Sequence, residues 1–189
     1  MPIISLVNEK GISYDTEDDI RRLIHYIFDV CKTTFDDIRP GHMIGDFVGC
    51  ARFFGTHEQE IQDDLVCDQM VANNRAYGKF VGNLIKHRII SFSEMDFVRP
   101  DEAYELAHYI ANAYGEEYIT AYGVHLDTKY IHIHLAVDAI SWRTGKRFDK
   151  SFEIKWLWAM INSWEKRREE RFINNHKEWD RNLNYYGTW

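Results

Sequence analysis

The chain has 189 residues, of which 45% are hydrophobic and 28% charged, and its net charge is −7. That is enough apolar material for one well-cored globular domain and too much for a disordered chain. The acidic balance argues against a non-specific nucleic-acid binder, and no apolar run is long enough to span a bilayer.

In chain order, Pro2 to Val7 reads as a short apolar strand, with no basic stretch of the kind that opens a signal peptide. Tyr14 to Asp19 starts a helix, with Thr16 as N-cap and acids in the first turn. Ile20, Leu23, Ile24, Ile27 and Phe28 continue it at core spacing. Cys31, Cys50 and Cys67 form no CxxC pair, so reduced thiols and a cytoplasmic location are expected. Phe35 to Gly49 is loop-like around a short apolar piece at Phe47 and Val48. Glu58 to Ala76 reads as a second helix. Arg88 to Phe92 is a strand, Pro100-Asp101-Glu102 opens a third helix ending near Gly115, and Tyr118 to His125 is a strand. Tyr130 to Ile140 follows as another strand, Trp142 to Lys146 as a turn, and Phe152 to Asn175 as a long aromatic helix. Strands and helices interleave around an antiparallel central pair. The expected fold is therefore α+β, a two-layer sandwich in which helices cover an antiparallel sheet and leave a face for a ligand. Residues 1–150 are expected to form the core and 151–189 a helical segment that packs on it or meets a partner.

Charge is unevenly spread. From Ser141 to Phe172 there are nine Lys/Arg against five acids, so this segment carries +4 in a chain of net charge −7. A local basic surface matters more for phosphate contact than the total. Arg143, Lys146, Arg147 and Lys150 are the candidate phosphate contacts, while residues 165–171 read equally well as a solvated helix face. Trp156, Trp158 and Trp164 suit either base stacking or, more commonly, core and interface packing.

The segment from Val124 to Leu135 holds three of the nine histidines. Residues two apart on a strand share a face, so His132 and His134 project together. If Leu126-Asp127-Thr128-Lys129 closes a four-residue hairpin, His125 sits opposite Tyr130 and joins them. Three imidazoles on one face offer half of an octahedral metal site, with positions open for substrate. Asp127 suits either a hydrogen bond that orients a ligand histidine or a turn, and His87 reads as structural. His125-x-Asp127 with a distant histidine would also suit a non-heme iron oxygenase. That site does not require His132-x-His134, and the only later histidine is His176.

The pattern His125-x-Asp127-x4-His132-x-His134 resembles the histidine motif of the relaxase/mobilisation nuclease family, the HUH endonucleases that start plasmid conjugation. The resemblance extends to Ile89-Ile90-Ser91-Phe92 followed by Pro100-Asp101-Glu102-Ala103, and to Ser141 through Phe148. It also covers Phe47-Val48-Gly49-Cys50 and His25-Tyr26-Ile27 with Lys32-Thr33, in the right order from about residue 3 to 150. It implies a divalent metal, Mn²⁺ or Mg²⁺, on His125, His132 and His134, with Tyr26 as nucleophile; Tyr14 and Tyr77 are the nearest rivals. It further implies nicking and rejoining of single-stranded DNA at a transfer origin through a 5′-phosphotyrosyl link, with an accessory relaxosome protein as a further partner. Ser91 would touch phosphate or satisfy backbone at its strand end. Two departures stand out: Asp138 where the family usually has asparagine, and no long C-terminal extension. They leave open a catalytically weak relative that binds DNA or a partner without cutting.

Overall fold

The computed structural model describes residues 2–33, 45–49, 63–149 and 151–186. Contacts divide the chain into two compact units, Met1–Asp149 and Lys150–Trp189. The first holds strands β1 (Ile3–Leu6), β2 (Gly45–Val48), β3 (Ile85–Ser91), β4 (Thr120–His125) and β5 (His132–Asp138). They form one sheet in the order β1-β3-β5-β4-β2, with every neighbouring pair antiparallel. Its helices are α1 (Glu17–Ile27), α2 (Val30–Thr33), α3 (Asp63–Ala76) and α4 (Pro100–Gly115). The expected α+β sheet covered by helices is what the chain adopts, and helices cover both faces.

The central strand β5 is buried at every position after His132. Its two faces explain the layers. Ile85, Phe47, Ala121 and Ala136 share one face and join Ile20, Leu23, Ile24 and Ile27 of α1 with Val66, Met70 and Val71 of α3 in a buried cluster. Tyr122 points to the other face, where its hydroxyl meets His108 Nδ1 of α4 at 2.6 Å. The apolar stripe of α1 buries Ile20, Leu23, Ile24 and Ile27. Its start is capped reciprocally: Thr16 Oγ1 accepts from the Asp19 amide at 3.1 Å and Asp19 Oδ2 accepts from the Thr16 amide at 3.0 Å. Pro100 opens α4 at a position where a missing N–H costs nothing.

The connection between β4 and β5 departs from expectation. His125 pairs with His132, not Tyr130, and the hairpin loop runs over residues 126–131. The register has slipped by two residues, so each side chain keeps its face. Three short elements were not expected, the 3₁₀ turns Val7–Lys10 and Glu94–Asp96, and α2. Strand β3 begins at Ile85, three residues before Arg88. The expected start of the second helix at residues 58–62, the loop at 35–44, Cys50 and Lys150 lie outside the described residues. Cys31 and Cys67 are free thiols, and burial pushes the Cys67 thiol up to about 12.

The second unit holds one long helix, α5 (Glu153–Tyr186), which extends past the expected Asn175. Within it Trp164 is buried with Arg168 over its ring at 5.6 Å, and Trp156 and Trp158 are half-buried.

Candidate active site

The three motif histidines meet on the sheet face that α1 covers. His125 ends β4, His132 begins β5 opposite it, and His134 follows on the same face. The rings of His125 and His134 are 4.2 Å apart between centroids, and those of His132 and His134 6.2 Å. Ser91 pairs with His132 at the end of β3, so it borders the same cluster. Tyr26, in the last turn of α1, sets its ring edge-on at 5.0 Å from His125 and 5.3 Å from His134. It remains 41% exposed, so a substrate can reach it.

The rivals of Tyr26 have their hydroxyls engaged. The Tyr77 hydroxyl donates to the Trp142 carbonyl at 2.9 Å, and the Tyr14 hydroxyl meets His87 Nδ1 at 2.9 Å. Lys32 lies over the Tyr26 ring, its Nζ 3.9 Å from the centroid and 3.5 Å from Asp29 Oδ2. It brings a cation to the site that the described candidate phosphate contacts, Arg143, Lys146 and Arg147, do not supply.

A glycine makes this proximity possible. A Cβ on Gly123, opposite His134, would lie 2.4 Å from the Ile27 carbonyl oxygen. The end of α1 therefore approaches the sheet only because no side chain stands there. That carbonyl is one of the helix-end acceptors left without an intrahelical partner, and it accepts from His125 Nε2 at 3.1 Å.

Hydrogen bonding sets which ring nitrogens are available. A carbonyl only accepts, so His125 carries its proton on Nε2 and keeps the Nδ1 lone pair. Thr128 Oγ1 donates its single hydrogen to the Tyr130 carbonyl at 2.8 Å. It therefore accepts from His132 Nδ1 at 3.1 Å, which leaves the His132 Nε2 lone pair uncommitted. His134 Nδ1 meets His87 Nε2 at 3.0 Å. Burial favours the neutral ring at three of these positions: it lowers the His125 pKa, and takes His87 down to about 4 and His134 to about 2. Neutral imidazoles with a lone pair apiece are the donor set a divalent transition metal requires, so the residues fit such an ion.

A separate group, His25, Asp63 and Asp64, has its potential ligand atoms all within 4.8 Å of one another. There His25 Nδ1 lies 2.6 Å from Asp63 Oδ2 and Nε2 3.5 Å from Asp64 Oδ1, which ties α1 to α3. Arg21 stands beside the same carboxylates, 2.5 Å from Asp68 and 3.9 Å from Asp64.

Several sequence expectations fall away from this cluster. The partners that hold the three rings are the Ile27 carbonyl, Thr128 and His87, not Asp127. Asp127 is exposed in the loop and acts on His125 through its charge. Arg143, Lys146 and Arg147 follow the far end of β5, roughly 20 Å from the histidines at about 3.3 Å per strand residue. Arg147 donates there to the carbonyls of Asn83 at 2.5 Å and Val81 at 2.6 Å. Asp138 occupies that far end as well. Its oxygens accept from Asn73 Nδ2 at 2.8 Å and the Ile140 amide at 3.0 Å, and burial raises its pKa to about 7. It clamps α3 to β5 and stands too far along the strand to join a metal on the histidines. His87 and Lys32 were the functional neighbours least visible beforehand; the parity of His87 with His134 on adjacent strands was the available signal.

A family model described as relaxase: MobA/VirD2-like, nuclease domain, matches residues 53–169. A comparison with curated proteins returns no match.

Proposed function

The chain belongs to the relaxase family of MobA/VirD2-like nuclease domains, by a match over more than half its length, and from that premise we propose that Tyr26 cuts single-stranded DNA by transesterification. Family membership makes it a DNA-nicking enzyme of mobilisation; the tyrosine mechanism and its residues are our reading. The observation that carries it is the Tyr26 ring at 5.0 and 5.3 Å from His125 and His134.

The Tyr26 oxygen attacks phosphorus at the cut site. The bond to the 3′-oxygen breaks, the phenol proton leaves, and the 3′-oxygen takes up a proton to end as a free hydroxyl. The product is a 5′-phosphotyrosyl link, whose energy permits the reverse step and hence rejoining. His125, His132 and His134 would hold a divalent metal, Mn²⁺ or Mg²⁺, which when bound supplies positive charge against the nonbridging phosphate oxygens. Lys32 adds a fixed cation beside the nucleophile, where negative charge develops. Ser91, paired with His132, is placed to meet the phosphate. Arg143 and Lys146 belong to a second contact region, several nucleotides from the cut. A single-stranded substrate suits a site set between a helix end and a strand end, because an unpaired backbone can bend into it. Residues 1–150 carry this nuclease in our reading, and 151–189 serve DNA or an accessory relaxosome protein. Among the described residues no helix is long and apolar enough to cross a membrane.

An SDS-resistant gel shift tests the proposal. Wild type and Tyr26→Phe are incubated with Mn²⁺ and labelled single-stranded DNA from around the gene and from a random pool. A covalent adduct in wild type that falls by on the order of 10³-fold or more in Tyr26→Phe is the expected result. An adduct that persists moves the chemistry to another tyrosine, and no adduct with any DNA favours a relative that binds without cutting.

A further inference from the structure

Two of the three motif histidines have their protons placed by partners with no choice in the matter. The Ile27 carbonyl can only accept from His125, and the Thr128 hydroxyl, donating to Tyr130, can only accept from His132. His134 is different. Its partner is another imidazole, His87, which donates or accepts equally well. The next group along, the Tyr14 hydroxyl on His87 Nδ1, also donates or accepts, so the chain can run in either direction.

We propose that Tyr14 and His87 are positioning residues which, through a hydrogen-bonded chain, fix the proton of His134 on Nδ1 and hold its Nε2 as a lone-pair donor. This rests on the reading above in which His134 holds a metal, and that reading is what selects the direction of the chain. Two arrangements of the chain carry the same number of protons. In the outward one, His134 Nδ1–H donates to His87 Nε2, and His87 Nδ1–H donates to the Tyr14 oxygen. In the inward one, the Tyr14 O–H donates to His87 Nδ1, His87 Nε2–H donates to His134 Nδ1, and His134 carries its proton on Nε2. Only the outward arrangement leaves His134 Nε2 able to bind a metal. Total charge is the same in both, so the choice is one of tautomer alone.

The backbone builds this chain deliberately. His87 lies two residues from Ile89, which pairs with His134, so the two rings are diagonal neighbours on one sheet face, stacked at 5.3 Å. Tyr14 precedes α1, yet its amide donates to Asn83 Oδ1 at 3.0 Å and its carbonyl accepts from the Leu84 amide at 2.7 Å. Both main-chain groups are thus tied to the start of β3, which keeps the phenol on His87. His87 itself is 5% exposed, and its amide donates to Asn8 Oδ1 at 2.8 Å. A buried N–H without an acceptor is the costlier orphan. The tyrosine oxygen therefore matters most to the outward arrangement, in which His87 Nδ1 is a donor.

The test has two arms. Nitrogen-15 NMR of the metal-free wild type reads the tautomer directly, and His134 protonated on Nδ1 is expected; a proton on Nε2 overturns the proposal. Tyr14→Phe is expected to move His134 toward the Nε2–H form and to weaken Mn²⁺ binding, by calorimetry, about 10–100-fold. His87→Gln offers an amide oxygen near the same place and is expected to retain more affinity than His87→Leu. An unchanged tautomer and Mn²⁺ affinity in folded Tyr14→Phe also overturns the chain. His134→Ala separates the two readings. If it leaves Mn²⁺ affinity intact, the metal assignment fails, while the tautomer measurement still decides the chain.

Discussion

The two ends of strand β5 solve the same problem in opposite ways. Each buries an ionisable group, His134 at one end and Asp138 at the other, and burial drives both toward the neutral form. At the Asp138 end both oxygens are taken, by Asn73 and Ile140, and the result is a clamp. At the His134 end each of three rings has one nitrogen held, and Tyr26 stands half-exposed beside them. Saturating one end makes a joint; at the other, the nitrogen left over on each ring is what the proposed metal site would use.

Metal should act at one end only. Mn²⁺ at about a hundred times its Kd is expected to raise stability by ~2.7 kcal/mol in wild type. His134→Ala should abolish that increment and Asp138→Asn should keep it, read as thermal midpoints with and without metal. An increment that survives in His134→Ala would break the comparison.

Next comes the helix that serves the histidine end. In Gly123→Ala the new Cβ meets the Ile27 carbonyl, whose oxygen a Cβ would approach to 2.4 Å. Urea unfolding should show a loss of about 1–3 kcal/mol, as overpacking typically costs. The adduct yield should fall with it, because Ile27 adjoins Tyr26.

Acidity separates the ends by sign. His87 and His134 have folded pKa values of about 4 and about 2, below the unfolded ~6.5. Their stabilising contribution is present above that unfolded value and lost as pH falls. Asp138, at about 7 folded against ~3.9 unfolded, contributes most below about pH 4 and loses it as pH rises through about 7. Between pH 4 and 6.5 the two slopes oppose each other. Asp138→Asn removes one of them, so the metal-free variant should lose stability on acidification more steeply than wild type, by up to about 3 kcal/mol across that window. Parallel stability curves for the two proteins would contradict the burial assigned to Asp138.

The smallest effect sharpens the DNA contacts. With a short single strand centred on the cut, Lys32→Gln should lower the slope of log K against log salt by about 0.7, one phosphate contact on a single strand. Arg143→Gln should leave it unchanged until the strand is lengthened.

Much of this was legible because it depends on alternation. His125, His132 and His134 share a face at any register of the right parity, so an incorrect turn left the grouping intact. The Thr16 cap and the Pro100 helix start were readable for the same local reason. The hairpin register was not, since Tyr130 and Ile131 look like strand residues while serving as loop. Distance along a strand was also hidden: Asp138 and Arg143 are close to the histidines in sequence and remote in space. His87, a lone imidazole between Lys86 and Arg88, gave no sign of its role until its neighbour across the ladder was known.

The slipped hairpin carries a consequence for how this loop tolerates change. Because His125 pairs with His132 across residues 126–131, adding or deleting two residues there can be absorbed with all three imidazoles still facing α1. A single-residue insertion or deletion, if the ladder re-pairs around it, turns His125 away from the other two. Length variation in this loop is therefore filtered by whether the number is odd or even before it is filtered by which residues are added.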